Sequence, residues 1–149
     1  MQQPSNDLAV SIREAMPADA ERIVALALQL GYETPLAHVE AIVHSASDDR
    51  VILVAVVPRA GVVGWTFVAR VESLIAVRRA EIYGLIVEDE FRSHRIGEML
   101  VGAAEEWARK QGCETLRLLS NVVRERAHAF YTRLGYDVLK TEYVFQKTL

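Results

Sequence analysis

Residues 81–97 read Glu-Ile-Tyr-Gly-Leu-Ile-Val-Glu-Asp-Glu-Phe-Arg-Ser-His-Arg-Ile-Gly. An apolar, strand-like run gives way to a short acidic segment, then to Arg92-Ser93-His94-Arg95-Ile96-Gly97, and a helical pattern starts at once. A strand that turns tightly into a helix leaves several backbone N–H groups unpaired and aimed at one point, where the positive end of the helix dipole also lies. Arg92, His94 and Arg95 add side-chain donors to the same turn. The stretch therefore reads as an anion site, and a phosphate-bearing ligand is the first expectation. Two glycine-loop motifs do not fit. No Gly-x-x-x-x-Gly-Lys-Ser/Thr string occurs, and a dinucleotide fingerprint needs three spaced glycines where this loop has only Gly97.

The spacing Arg92-x-x-Arg95-x-Gly97 resembles the Arg/Gln-x-x-Gly-x-Gly/Ala signature of the GNAT superfamily of N-acetyltransferases, whose loop holds the pyrophosphate of acetyl-coenzyme A (acetyl-CoA). It departs at Arg95, which stands where the family has its first glycine, so that side chain must point away from the phosphates. Gly97, at the closest approach of backbone to ligand, is retained. The resemblance runs on through the following helix to Asn121 and to Ala127-x-x-Phe130-Tyr131-x-x-x-Gly135-Tyr136, covering most of residues 62–149. Before residue 62 only the pattern of elements matches.

At 149 residues the chain suits one domain, 1–149, with a sizeable core. Half of it is hydrophobic (51%) and a quarter charged (25%), as in an ordinary globular protein, and a net charge of -3 argues against a general nucleic-acid binder. The single Cys113 excludes an internal disulfide and a cysteine-built metal site; following Gly112, it reads as a small half-buried residue. No apolar run approaches the roughly 20 residues that span a bilayer, and the start lacks a basic segment with an apolar core behind it, so the expectation is a cytoplasmic protein without membrane partners. No His/Asp/Glu/Cys cluster has ligand spacing, so no metal is expected.

Taken in order, residues 8–14 alternate as a short strand. A helix follows with Pro17 in its first turn, Asp19 and Glu21 at its positive end, Ile23, Leu26, Ala27 and Leu30 as its apolar stripe, and Gly31 as its stop. A second helix spans about 35–44. The β-branched run 51–57 predicts a strand covered on both faces, 62–71 its hairpin partner, and 80–87 the strand before the anion loop. The helix 97–111 faces Leu100, Ala103, Ala104 and Trp107 inward and closes at Gly112. A strand over 114–119, a helix capped by Ser120 or Asn121 with Val123, Ala127, Phe130, Tyr131 and Leu134 at helical spacing, and strands near 136–139 and 142–147 complete the chain. Periodicity alone gives a mixed α/β sandwich. The resemblance implies more: an acyl-CoA N-acyltransferase fold with a central mixed, mostly antiparallel sheet flanked by about four helices.

The resemblance also implies the chemistry. Acyl transfer from a thioester needs a neutral amine, a stabilised oxyanion and a proton for the departing thiolate. In the family two strands splay after the anion-loop strand and the pantetheine arm fills the gap; here the backbone of Leu85, Ile86 and Val87 would meet it, and the loop residues Arg92, Ser93, His94, Arg95, Ile96, Gly97 and Glu98 would hold the diphosphate. Glu81, two pleats before Leu85 and read as facing the same way, is the candidate general base, with a salt-bridged strand glutamate as the alternative and Tyr83 as substitute or assistant. Tyr131 matches the family tyrosine that protonates the coenzyme sulfur; the alternative is an aromatic core residue. Asn121 matches a pantetheine contact and equally a helix cap, while His128 falls on an outer helical face.

The resemblance thus implies transfer of acetyl from acetyl-CoA to a primary amine in a ternary complex. The C-terminal half is similar to bacterial members acting on small amines, so a small molecule is expected, with peptide N-acetylation or a non-catalytic acetyl-CoA sensor as alternatives. Tyr32–Thr34, Glu72–Arg79 and the last hairpin are the expected specificity elements. Arg78 and Arg79 read as solvated loop residues, with an acidic substrate as the other reading. Oligomeric state is not legible in the chain; the resemblance implies a homodimer.

Overall fold

A computed structural model describes residues 8–45 and 47–149. The chain forms two units, the first ending at Leu119 and the second comprising Ser120–Leu149.

In the first unit five strands, β1 (Ser11–Glu14), β2 (Arg50–Val57), β3 (Gly61–Val71), β4 (Arg79–Val87) and β5 (Thr115–Leu118), lie side by side in sequence order. The first three pairings are antiparallel and β4–β5 is parallel. A parallel neighbour cannot be reached by a tight turn, and the crossover is supplied by α3 (Ile96–Lys110). Ile96, Leu100, Ala104 and Ala108 recur every four residues, so they form one buried row along α3 that packs on Leu53, Ala55, Val57, Val63, Val68, Ala80 and Ile82 of the sheet. Truncating a buried leucine in such a row costs about 2–5 kcal/mol.

The opposite sheet face is covered by α1 (Ala20–Gln29) and α2 (Leu36–His44). Ala20, Ile23, Leu26 and Ala27 of α1 and Val39 of α2 bury against Val54, Val62 and Ile86. Alternate residues of β2 thus enter two different cores, as its continuous apolar run predicts. Among the described residues no helix is long and apolar enough to cross a membrane.

The helix ends follow the punctuation in the sequence. Pro17 sits in a single 3₁₀ turn that leads into α1. Gly112, with φ +77°, ends α3: its N–H bonds the Arg109 carbonyl at 3.0 Å and the next N–H, of Cys113, bonds Ala108 at 2.9 Å. That pair of bonds satisfies the last carbonyls and needs the left-handed backbone that glycine adopts without cost. Cys113 is half-buried, and burial, opposed by Arg70, pushes its thiol above the ordinary range.

The entry to α1 is fixed by charge. Arg13 grips the Asp19 carboxylate with two nitrogens at 2.7 and 3.1 Å, and the Met16 N–H bonds the same carboxylate at 2.7 Å. The Arg13 hydrogen bond, reinforced by that N–H and opposed by burial, holds the Asp19 carboxyl below its usual range. A carboxyl depressed in the folded state stabilises the fold above its unfolded pKa of about 3.9, and loses that contribution as pH falls through the folded value. Asp19→Asn is therefore expected to cost about 1–2 kcal/mol at pH 7, allowing for the partial exposure of Arg13. In urea titrations the gap between variant and parent should narrow towards pH 3.

The second unit contains α4 (Glu125–Arg133). It starts later than its apolar spacing predicts. The Asn121 side chain accepts the Val123 N–H at 3.1 Å and its carbonyl accepts the Arg124 N–H at 3.0 Å, so Asn121 builds a turn before the helix and Val123 stays outside it, exposed. Gly135, φ +93°, closes α4, with the Gly135 N–H on Thr132 and the Tyr136 N–H on the Tyr131 carbonyl, each at 3.0 Å. The strands predicted at 136–139 and 142–147 do not form. A strand is defined by its ladder, and residues 136–149 find no ladder partner among the described residues.

Candidate active site

The site grows from β4. Its first residues alternate strictly: Ala80 and Ile82 enter the core beneath α3, which sends Arg79, Glu81 and Tyr83 to the other face. The alternation then breaks. Val68 pairs with Ile82 and Thr66 with Leu85, so Tyr83 and Gly84 together oppose the single residue Phe67. Beyond this bulge Leu85 and Val87 pack with the α3 core and Ile86 with the α1 core. Two side chains hold the distortion: the fully buried Thr66 hydroxyl donates to the Gly84 carbonyl at 2.7 Å, and a Cβ at Gly84 would lie only 2.8 Å from the Trp65 ring. Glu81 and Leu85 consequently face opposite ways, which corrects the reading that put them on one face; the extra residue turns the pattern over.

The bulge coincides with the end of the β4–β5 ladder. The β4–β5 ladder ends at Ile82↔Leu118, and β4 continues from Tyr83 to Val87 with no strand on that side among the described residues. The backbone of Leu85, Ile86 and Val87 is thus paired to β3 on one edge and has no ladder partner on the other among the described residues. Glu88, just beyond, is tied to α1 by Arg22 at 2.5 Å, which steadies the exit of the strand.

A 3₁₀ turn, Asp89–Phe91, carries the chain into the loop. Ser93 (φ +68°) and Arg95 (φ +61°) both adopt the left-handed conformation. For Arg95 this is the conformation a glycine at that signature position would supply, taken at a cost of about 1–2 kcal/mol. No side chain caps α3, and its first internal bond runs from the Met99 N–H to the Arg95 carbonyl at 3.0 Å. The N–H groups of Ile96, Gly97 and Glu98 therefore project from the helix start without intrahelical acceptors. Arg92 and Arg95 are exposed and His94 half-buried around them, with Arg92 also paired to Asp89 at 2.8 Å. The left-handed loop, the uncapped helix and the Arg92 and His94 side chains suit a diphosphate.

On the other face Glu81 is only 8% exposed. Arg79 Nη2 lies 3.3 Å from its carboxylate. Tyr83, more open, touches the Phe67 ring at 6.0 Å; burial first, then hydrogen bonding to Glu81, lifts its phenol above the ordinary value. Within the second unit, Tyr131 stacks edge-on to Phe130 (5.1 Å) and Tyr136 (6.0 Å), and burial, partly offset by Arg124, raises its phenol pKa. His128 donates from Nε2 to the Asn121 carbonyl at 2.9 Å, so it bolts the turn to the helix. Among the described residues no group of three or more metal-ligating side chains converges. A cleft of about 530 Å³ lies elsewhere, between α2, the start of β2 and the end of α3, and none of these candidate residues lines it.

The pattern that defines the acetyltransferase (GNAT) family matches residues 20–136, spanning both the bulged β4 and the loop before α3. The chain belongs to this family. A stretch of 69 residues is 41% identical to the aminoalkylphosphonate N-acetyltransferase of Salmonella typhimurium, covering 46% of this chain and 44% of that protein. The match thus spans less than half the length of that relative, as it does for the uncharacterized N-acetyltransferase YhdJ of Bacillus subtilis (37% identity; 44% and 46% covered). Among solved structures, a protein described as a transcriptional regulator from Bacillus halodurans C-125 superposes with TM-score 0.80 at 27% identity, over 93% of this chain and 99% of that one. The aminoglycoside N-acetyltransferase AAC(6')-Iy in complex with CoA shares the fold, with TM-score 0.82 at 18% identity over 99% and 100% of the two chains.

Thr66 and the strand position of Arg79 escape a sequence reading, although Arg79 itself is named there as a loop residue or a contact for an acidic substrate. Thr66 carries no motif; only the bulge, visible in three dimensions, gives it a task. Arg79 is different, because the alternation Arg79-x-Glu81-x-Tyr83 against Ala80-x-Ile82 marks a polar strand face and could have moved the strand start back by one residue.

Proposed function

We propose that the protein is an acetyl-CoA-dependent N-acetyltransferase acting on a primary amine of a small molecule, by direct transfer in a ternary complex and with the whole chain as one catalytic domain. The observation that carries this reading is the free edge of β4 from Tyr83 to Val87, running without interruption into the uncapped, left-handed entry to α3. The backbone of Leu85, Ile86 and Val87 takes the pantetheine arm as a strand would be taken, and Arg92, Ser93, His94, Arg95, Ile96, Gly97 and Glu98 cradle the diphosphate. Glu81 removes a proton from the attacking amine through water, the amine nitrogen bonds to the acetyl carbon, and the C–S bond breaks. Tyr131, assigned from its place in the family motif, returns a proton to the thiolate; its raised pKa keeps it protonated at neutral pH. Asn121 contacts the pantetheine arm in the same assignment.

The small-molecule acceptor is supported by the relatives, which include an aminoalkylphosphonate and an aminoglycoside acetyltransferase. A cytoplasmic homodimer completes the proposal. Mixing the protein with acetyl-CoA and a panel of amines and peptides, with thiol release as the readout, tests it. Turnover of small amines is expected; tight binding of CoA with no thiol released from any acceptor would make the chain a sensor.

A further inference from the structure

We propose that Arg79 and Arg117 flank Glu81 to receive an anionic group on the acceptor, so that the preferred substrates are short amines bearing a phosphonate, phosphate or carboxylate. This deepens the acetyltransferase reading and rests on it. Arg79 opens β4, and its side chain is only 18% exposed. Its contact with Glu81, at 3.3 Å, is longer than the 2.7–2.8 Å of the Arg13–Asp19 and Arg78–Glu114 pairs. Its Nε is buried and meets no acceptor. A buried guanidinium donor left unmet is costly, and native structures rarely tolerate one without a reason. The other such atom among the described residues, Arg50 Nε, belongs to a side chain anchored on Ser45 Oγ at 2.8 Å, two strands across the sheet from Glu81 in the row that runs through Ala69.

Arg117 is the register partner of Glu81 on the parallel strand β5. Its neighbours Leu116 and Leu118 pack under α3, so Arg117 emerges on the Glu81 face, half-buried, and no described carboxylate pairs with it. Two guanidinium cations thus share one strand face with a single carboxylate, which leaves an excess positive charge and unused planar donors that suit tetrahedral or planar anions. Position sets the length of the ligand. Arg79 lies two residues from Glu81, roughly 7 Å along the strand, on the side away from the bulge and the free β4 edge. An amine beside Glu81 and an anion at Arg79 are therefore separated by a chain of a few carbons.

The test compares acceptors matched in length, n-propylamine against 3-aminopropylphosphonate and β-alanine, in the thiol-release assay. The anionic acceptors are expected to exceed propylamine in kcat/KM by roughly 10- to 100-fold. Arg79→Gln and Arg117→Gln should each reduce that ratio by about 10-fold, while Arg79→Lys keeps part of it. The ratio is the informative quantity, because harm done to Glu81 by losing Arg79 affects both amines alike. Equal rates for charged and neutral acceptors, or a preference that survives both glutamine variants, would overturn the inference while leaving the acetyltransferase reading intact. If no amine is turned over, that reading fails instead; calorimetry of 3-aminopropylphosphonate against the CoA-saturated protein then judges the arginine pair alone, and absent or Arg79-independent binding rejects it.

Discussion

Glu81→Gln is expected to lower kcat/KM by roughly 100- to 10,000-fold, the usual worth of a positioned general base. Glutamine keeps the size of the side chain and its place on the β4 face but cannot take a proton. The pH profile separates this from a packing effect. In the parent the acid limb of kcat/KM reports both the base and the amine's own deprotonation; in the variant only the amine's contribution should remain. The substitution also leaves the largely buried Arg79 without its carboxylate, so some loss of stability accompanies it. Calorimetry with CoA controls for that, since the diphosphate loop lies at the far end of β4 and its affinity should hold. A variant that binds CoA, retains its fold and shows an unchanged profile would remove Glu81 from the mechanism and leave Tyr83 as the candidate.

The second large effect is expected at Tyr131→Phe, which retains the ring contacts with Phe130 and Tyr136 and deletes only the hydroxyl. Loss of a proton donor should reduce kcat by roughly 100-fold or more with little change in the KM for acetyl-CoA. The direction of its pKa shift adds a pH criterion. Burial raises the phenol above its ordinary value of about 10, so the donor stays protonated across the neutral and mildly alkaline range, and no loss of kcat attributable to it is expected below about pH 10. A poor leaving group makes the acid matter most, hence acetyl-CoA should show a larger loss than an activated thioester such as an acetylated aryl thiol. Turnover unaffected by the change would reduce Tyr131 to an aromatic packing residue.

How much of this was legible depended on whether the signal was local. The strand–loop–helix at Glu81–Gly97 is specified by contiguous residues, and β4, the loop and α3 lie within one residue of their predicted bounds. The β-branched run of β2 and the stop at Gly112 are local in the same sense. What failed needed a neighbour. Strand character in 136–147 has no meaning without a ladder. The facing of Glu81 against Leu85 turned on Phe67, a residue on another strand, and so no count along β4 could have exposed the bulge. Arg79 looked like loop because charge usually signals solvent; only the pairing to Val71 and Thr115 shows it inside the sheet. Asn121 was readable as a structural residue, but whether its bonds cap a helix or build the turn before one is decided by a single backbone step.

The doubled position opposite Phe67 gives β4 two halves with opposite parity, one serving acceptor chemistry and one closing the interior. Insertion or loss of a single residue there would not merely lengthen or shorten the strand; it would send Arg79, Glu81 and Tyr83 into oil and bring Ala80 and Ile82 out to water. The number of residues between Ile82 and Leu85 therefore matters more to this fold than their identity, since polarity on both sides of the sheet is counted from it.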